Sequence, residues 1–188
     1  MPYSVDRFWF PEGDFRLIGW TTDGGSLLFT FDGLVPFDLR VYDSTIGLYR
    51  LRIPTCQFEP IADRRWVAYS RDEVSGKMAY VEGNDTLVIV DANGKSVTSA
   101  LLPVGYSEFG AFAWSEDGMA VAFAMAAAVA GDPPPPDREF VVCVYFLGKA
   151  ALSCQAPITQ TVNMITWVGP TMIRATAQDG DNLLEISP

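Results

Sequence analysis

Histidine is absent from all 188 residues. Its absence removes the Ser-His-Asp and Cys-His arrangements of nucleophilic catalysis, in which an imidazole carries the proton. Cysteine is scarce: Cys56, Cys143 and Cys154 fit no metal-ligand spacing and leave an odd thiol in any pairing. Cys143 and Cys154 flank an expected hairpin, yet buried free thiols are the expectation for all three. Positive charge is also short, with 13 Lys and Arg against 23 Asp and Glu and a net charge of −10. Nucleic acid is therefore not an expected partner, because a phosphate backbone demands clustered Lys and Arg. The acidic excess serves solubility instead. No apolar run approaches the about 18 residues that cross a bilayer as a helix. Residues Met1 to Phe10 show neither a basic start followed by an apolar run nor a small-residue cleavage site. A cytoplasmic location without membrane insertion is the expectation, and with no nucleotide-binding glycine loop present, no cofactor is expected.

What the chain does have is aromatic and turn-forming residues: 13% Phe, Trp and Tyr, 16 Gly and 13 Pro. That composition suits many short strands joined by turns. One pattern repeats. Trp20-Thr21-Thr22-Asp23-Gly24-Gly25-Ser26-Leu27-Leu28-Phe29 reads as the end of one strand, a polar turn and the start of the next. It returns as Trp114-Ser115-Glu116-Asp117-Gly118-Met119-Ala120-Val121-Ala122-Phe123. A weaker copy is read at Pro60 to Tyr69, with Asp63 as its turn residue, and a degenerate one at Thr166 to Arg174. Pro54, Pro103 and Pro157 close the first three units at intervals near the about 40–50 residues of a propeller blade.

Each unit reads as four strands. In the first, Phe15–Trp20 and Ser26–Phe31 are followed by Leu39–Tyr42 and Leu48–Ile53. The second unit takes Cys56–Glu59, Trp66–Ser70, Thr86–Val90 and Val97–Leu102, with an Asn93-Gly94 hairpin turn before the last. The third takes Gly110–Trp114, Met119–Ala124, Phe140–Tyr145 and Ala150–Cys154. The fourth has only Val162–Trp167, Met172–Ala177 and Leu183–Ile186. The expected fold is all-β, a β-propeller of about four antiparallel four-stranded blades over 1–188, with repeats at 15–54, 55–103, 104–157, and 158–188 plus 1–14. Tyr3–Phe10 would complete the last blade and so remove two open edges. The alternative is half of an eight-bladed ring formed by two chains. The Trp before each turn is expected to pack between neighbouring blades.

The segment Trp114–Phe123 resembles the TolB-type and WD-repeat-like propeller blade, in which Trp-Ser-Pro-Asp-Gly-Lys-x-Ile-Ala-Phe recurs. Trp20–Phe29 matches similarly, with Thr22 at the usual Pro position. The chain lacks the His and the terminal Trp-Asp pair of the WD repeat. The resemblance implies a binding platform within a larger assembly.

Carboxylates are the remaining source of chemistry, since a pair of them can serve a glycosidase-like site. Asp23, Asp63 and Asp117 sit at turn positions, however, where Asp commonly bonds its own backbone. Asp179-Gly180-Asp181-Asn182 lacks the spacing and closing Glu of a calcium loop. No catalytic residue, cofactor-binding residue or metal ligand is assigned. The expected function is a non-catalytic interaction subunit that recruits a protein partner, or itself, through rim loops 71–85 and 126–139. Met78 and Tyr80 are the candidate contacts in the first loop. In the second, Pro133, Pro134, Pro135, Pro136 and Arg138 would present a stiff polyproline arm to an aromatic groove. A propeller binding a small molecule or glycan in its axial pocket is the alternative, and an acidic-residue hydrolase the weakest.

Overall fold

A computed structural model describes residues 13–33, 45–83, 85–128, 138–177 and 182–186. They form four antiparallel sheets in chain order. The first contains β1 (Gly13–Trp20), β2 (Ser26–Gly33), β3 (Thr45–Arg52) and β4 (Gln57–Val67). The second contains β5 (Tyr69–Arg71), β6 (Met78–Glu82), β7 (Thr86–Val90) and β8 (Ser96–Leu101). In the third are β9 (Tyr106–Trp114), β10 (Ala120–Ala127), β11 (Phe140–Phe146) and β12 (Ala151–Cys154). The fourth holds β13 (Val162–Gly169), β14 (Met172–Ala177) and β15 (Asn182–Ile186). In every sheet the strands lie side by side in the order of the chain. This up-and-down order follows from short turns, which allow only antiparallel neighbours.

Sheets one to four stack face against face. Because side chains alternate across a strand, each central strand supplies one row to the preceding blade and one row to the following blade. On β10, Val121, Phe123 and Met125 meet Ala79, Val81, Leu87 and Ile89 of the second sheet. The opposite row, Ala120, Ala122, Ala124 and Ala126, meets Ile165, Ile173 and Ala175 of the fourth. Burial on both faces explains why β10 and β11 are apolar throughout rather than alternating. Large residues on one side and alanines on the other let the sheets interdigitate at interior density.

The structure moves the boundary of the second unit. Gln57–Val67 is a single strand paired along its length with β3, Leu48 opposite Ala62 and Ile46 opposite Arg65. Asp63 therefore lies within a strand, and Pro54 lies in the turn between the third and fourth strands of the first blade. Local turn propensity loses here to the ladder that β3 offers. The second blade begins at Tyr69, and its turn is Asp72–Lys77, closed by the Asp72 amide donating to the Lys77 carbonyl at 2.8 Å. The equivalent bonds run from Thr21 to Ser26 and from Ser115 to Ala120, each 2.9 Å. Arg71 thus occupies the position of Trp20, Trp114 and Trp167. Leu48–Ile53, expected as a fourth strand, falls on the third strand, β3; Leu39–Tyr42 and Tyr3–Phe10 lie outside the described residues.

Cys143 and Cys154 form a disulfide rather than remaining free thiols. They sit directly opposite each other on β11 and β12, close enough for the sulfurs to meet without moving the backbone. The free cysteine, Cys56, is exposed.

Candidate interaction surfaces

The turns between first and second strands make one rim, and their polar side chains are consumed in building it. Thr21 Oγ donates to Asp23 Oδ1 at 2.7 Å, and the Gly25 amide donates to the same oxygen at 2.9 Å. Ser115 and Asp117 repeat the geometry, with the Ser115 hydroxyl at 2.7 Å and the Met119 amide at 2.9 Å. The hydroxyl and then the amide hold each carboxyl below its ordinary range. A carboxylate held ionised in this way acts as a turn lock and carries no proton to donate as a general acid. In the second blade's turn, Asp72 accepts bonds from the Val74 and Ser75 amides and the Ser75 hydroxyl.

These turns also link the blades. Lys77 Nζ donates to the Gly118 carbonyl at 3.0 Å. Gly118 has φ +63°, and a Cβ there would meet the Asp72 carboxylate at 2.5 Å, so the close approach requires glycine. Arg71 donates to the carbonyls of Ile18 at 3.0 Å and Trp20 at 3.2 Å in the first blade. Trp167 Nε1 donates to the Ala113 carbonyl of the third blade at 2.9 Å. Arg71 and Trp167, each just before its turn, thus bond back to the preceding blade, whereas Trp114 packs against the second blade with its Nε1 buried and without a partner.

Between the third and fourth blades this rim opens a cavity of about 500 Å³, lined by Ser115, Glu116, Asp117, Trp167, Gly169 and Pro170 among others. Among the described residues no cluster of side chains suited to hold a metal ion is present.

The residues expected to contact a partner are not brought together. Met78 and Tyr80 lie on β6, the second strand of the second blade, and not on a rim loop. Both belong to a buried cluster with Leu48, Ala62, Val88 and Val90. Burial also raises the Tyr80 phenol above its ordinary value, with Glu82 adding to the shift. Arg138 is interior too. Its Nε donates to the Ala127 carbonyl at 3.0 Å and Nη2 to Glu108 at 2.5 Å, a pair almost closed to solvent. A side chain in these positions anchors strands and is not available to a second molecule. Pro133, Pro134, Pro135 and Pro136 lie outside the described residues.

Exposed apolar side chains lie elsewhere, on all four blades, with Val74, Val97, Leu101, Val104 and Met119 on or between the second and third. Phe15, Leu17 and Trp20 on β1 are 57%, 52% and 50% exposed. They top an aromatic stack in which Phe15 lies 4.9 Å from Phe29, and Tyr49 lies 5.0 Å from Phe58. On the outer face of the fourth blade, Met164 is 52% and Met172 37% exposed. The sequence offered a signal for Trp20 alone, as one of the repeated Trp residues. That it lacks the cover its equivalents have is visible only once the sheets are stacked.

No family model matches the chain, nor does any curated protein sequence. Solved structures do match. An oligogalacturonate lyase in complex with manganese aligns at 14% identity over 85% of this chain and 44% of its own length, with a TM-score of 0.55. The oligogalacturonate lyase of Vibrio parahaemolyticus aligns at 12% identity over 85% and 44%, with a TM-score of 0.54. The C-terminal WD40 domain of Sif2 aligns at 13% identity over 94% and 46%, with a TM-score of 0.55. The chain therefore spans less than half the length of each of these structures, and at such identities the likeness establishes the fold alone: a β-propeller.

Proposed function

We propose that the chain is a non-catalytic β-propeller interaction subunit that binds a protein partner. The observation that carries this reading is the group of half-exposed apolar side chains Phe15, Leu17 and Trp20 on β1 of the first blade. Exposed large apolar side chains grouped on one face are what a protein partner covers. The rim carboxylates support the non-catalytic part, since Asp23 and Asp117 are spent on their turns. Pro133 to Pro136 remain in the proposal as a second contact, a proline-rich arm for an aromatic groove. The Cys143–Cys154 bond favours an oxidising compartment over the cytoplasm expected from the sequence.

The test is photocrosslinking in the producing cell from p-benzoylphenylalanine placed at Leu17. Covalent adducts with a protein, its own chain or another, are expected. The reading is overturned if no adduct forms and calorimetry instead shows a small sugar acid or oligosaccharide binding in the cavity beside Trp167.

A further inference from the structure

The gaps between neighbouring blades at the turn rim can be compared, because the bond that closes each turn aligns them. The Asp72 amide donates to the Lys77 carbonyl as the Ser115 amide donates to the Ala120 carbonyl, so Lys77 and Ala120 hold the same place. Both point from their own blade to the next, Lys77 to Gly118 of the third blade and Ala120 to the core shared with the fourth. They differ in length. Lys77 spans its gap and sets its Nζ 3.0 Å from the Gly118 carbonyl. Ala120 ends in a methyl group and spans nothing. The turn facing it, between the paired residues Trp167 and Ile173, is also shorter than the third turn, between Trp114 and Val121. The cavity of about 500 Å³ lies in this unfilled gap, and its volume falls within the about 300–1,000 Å³ of ligand pockets.

The lining sets the sign of what fits. The charged side chains that line the cavity, Glu116 and Asp117, are both acidic. Glu116 is exposed and, among the described residues, has no hydrogen bond or ion pair. Asp117 takes its turn bonds on Oδ1. The Trp167 indole is pinned by its own N–H to the Ala113 carbonyl at 2.9 Å, so it gives the cavity a fixed aromatic wall. Val168 and Pro170 add apolar surface. Carboxylates beside an aromatic and apolar wall favour a cation carried on an alkyl chain, and an anion would meet like charge. One blade earlier the chain supplies such a group itself. The Lys77 ammonium lies against the third turn, where its charge adds to the lowering of the Asp117 carboxyl that the Ser115 hydroxyl and the Met119 amide mainly cause.

We propose that the cavity between the third and fourth blades binds an alkylammonium group, presented as a lysine side chain by the protein partner. The ammonium takes the place at the fourth turn that Lys77 Nζ takes at the third. Glu116 and Asp117 are its counter-charges, and its alkyl stem lies along Trp167. A solvent-facing ion pair is weak by itself, which suits one point of a larger interface. The assignment rests on the interaction reading above for the source of the amine, and on the cavity alone for the site.

NMR titration of the purified full chain with Nα-acetyl-lysine methylamide tests the site, followed at the Trp167 indole N–H, which Trp167→Phe identifies. A saturable shift is expected, and none with the Nε-acetylated derivative, which keeps the stem but carries no charge. Glu116→Gln should weaken binding by about two- to fivefold, the range of an exposed ion pair. Ala120→Lys should abolish it, because the longer side chain fills this gap as Lys77 fills the one before. Glu116→Gln, at the surface, tests the same contact if Ala120→Lys does not fold. Equal shifts from both derivatives, a shift indifferent to the variants, or no shift at all overturns the site. Photocrosslinking in the producing cell from p-benzoylphenylalanine at Val168 tests the source. A protein adduct lost in Ala120→Lys is expected, and lysine binding without an adduct overturns the partner as the source. If the lysine shift is missing while Leu17 still crosslinks to a protein, the cavity site falls and the interaction reading stands.

Discussion

Replacing Met78 by Ala separates the interior position seen in the structure from the rim contact expected of this residue. The side chain is fully enclosed, packed with Leu48 and Ala62 of the first blade and Tyr80, Val88 and Val90 of the second. Truncation removes buried methylene and thioether groups and leaves a cavity at the seam between two sheets, where neither can collapse without moving the other. Met→Ala losses in cores run about 2–5 kcal/mol. A value near 3 kcal/mol is expected here, because the site touches two sheets but is not at the centre of the largest cluster. For a chain of this length each kcal/mol moves Tm by about 2–4 °C, so a fall of about 6–12 °C should appear in thermal melts followed by circular dichroism. Met78→Leu conserves volume and should cost less than about 1.5 kcal/mol. Val74→Ala, on the exposed turn of the same blade, serves as the surface control. If Met78→Ala melted within about 0.5 kcal/mol of wild type, as surface substitutions do, the stacking of the first blade on the second would be wrong.

Two further predictions address the rim and the cysteines. The carboxyls of Asp23 and Asp117 titrate below their ordinary value in the fold. Their contribution is complete above the unfolded carboxyl value and is lost as pH falls through the folded one. The double variant Asp23→Asn, Asp117→Asn keeps an acceptor at each turn but cannot titrate, so its Tm should fall less steeply than wild type on acidification from neutral pH. Parallel curves would refute the turn-lock assignment. For the cysteines, thiol titration of the unfolded, unreduced chain from its native compartment should find one reactive group, Cys56; three would show that Cys143 and Cys154 are reduced.

Much of the fold was legible where local chemistry and tertiary pairing agree. The third blade shows this best: Phe140–Tyr145 and Ala150–Cys154 fall on β11 and β12 within a residue or so, because apolar runs bounded by turn residues leave little choice of register. The second blade failed for a specific reason. Its turn carries Arg71 and Asp72 where the first and third carry Trp and a hydroxyl residue, so the Trp pattern points instead to Trp66, inside β4. The function of the position survives the change, since Arg71 and Trp167 both donate to a carbonyl of the blade before. A donor that reaches backwards is thus met by two unlike side chains, while Trp114 holds the same position by packing alone.

The same reasoning shows why the expected contact residues were misplaced. The stretch before Met78 and Tyr80, Asp72 to Lys77, is polar and turn-rich, so the sequence alone suggests a long rim loop over 71–85. Once Asp72–Lys77 is the tight turn of a blade, Met78–Glu82 must be the strand leaving it, and a central strand is buried on both faces. Arg138 follows the same logic from the other direction. A guanidinium beside four prolines suggests an exposed arm, but the carbonyl of Ala127 and the carboxylate of Glu108 hold its Nε and Nη2 in a nearly dry site, leaving Nη1 buried without a partner. The surface left for a partner is then what the stack does not consume. Interior blades spend both faces on each other and their turn carboxylates on the backbone, so their uncovered apolar side chains, Val74, Leu101 and Val104 among them, lie at turns and outer edges, while on the first blade Phe15, Leu17 and Trp20 stand exposed on one strand.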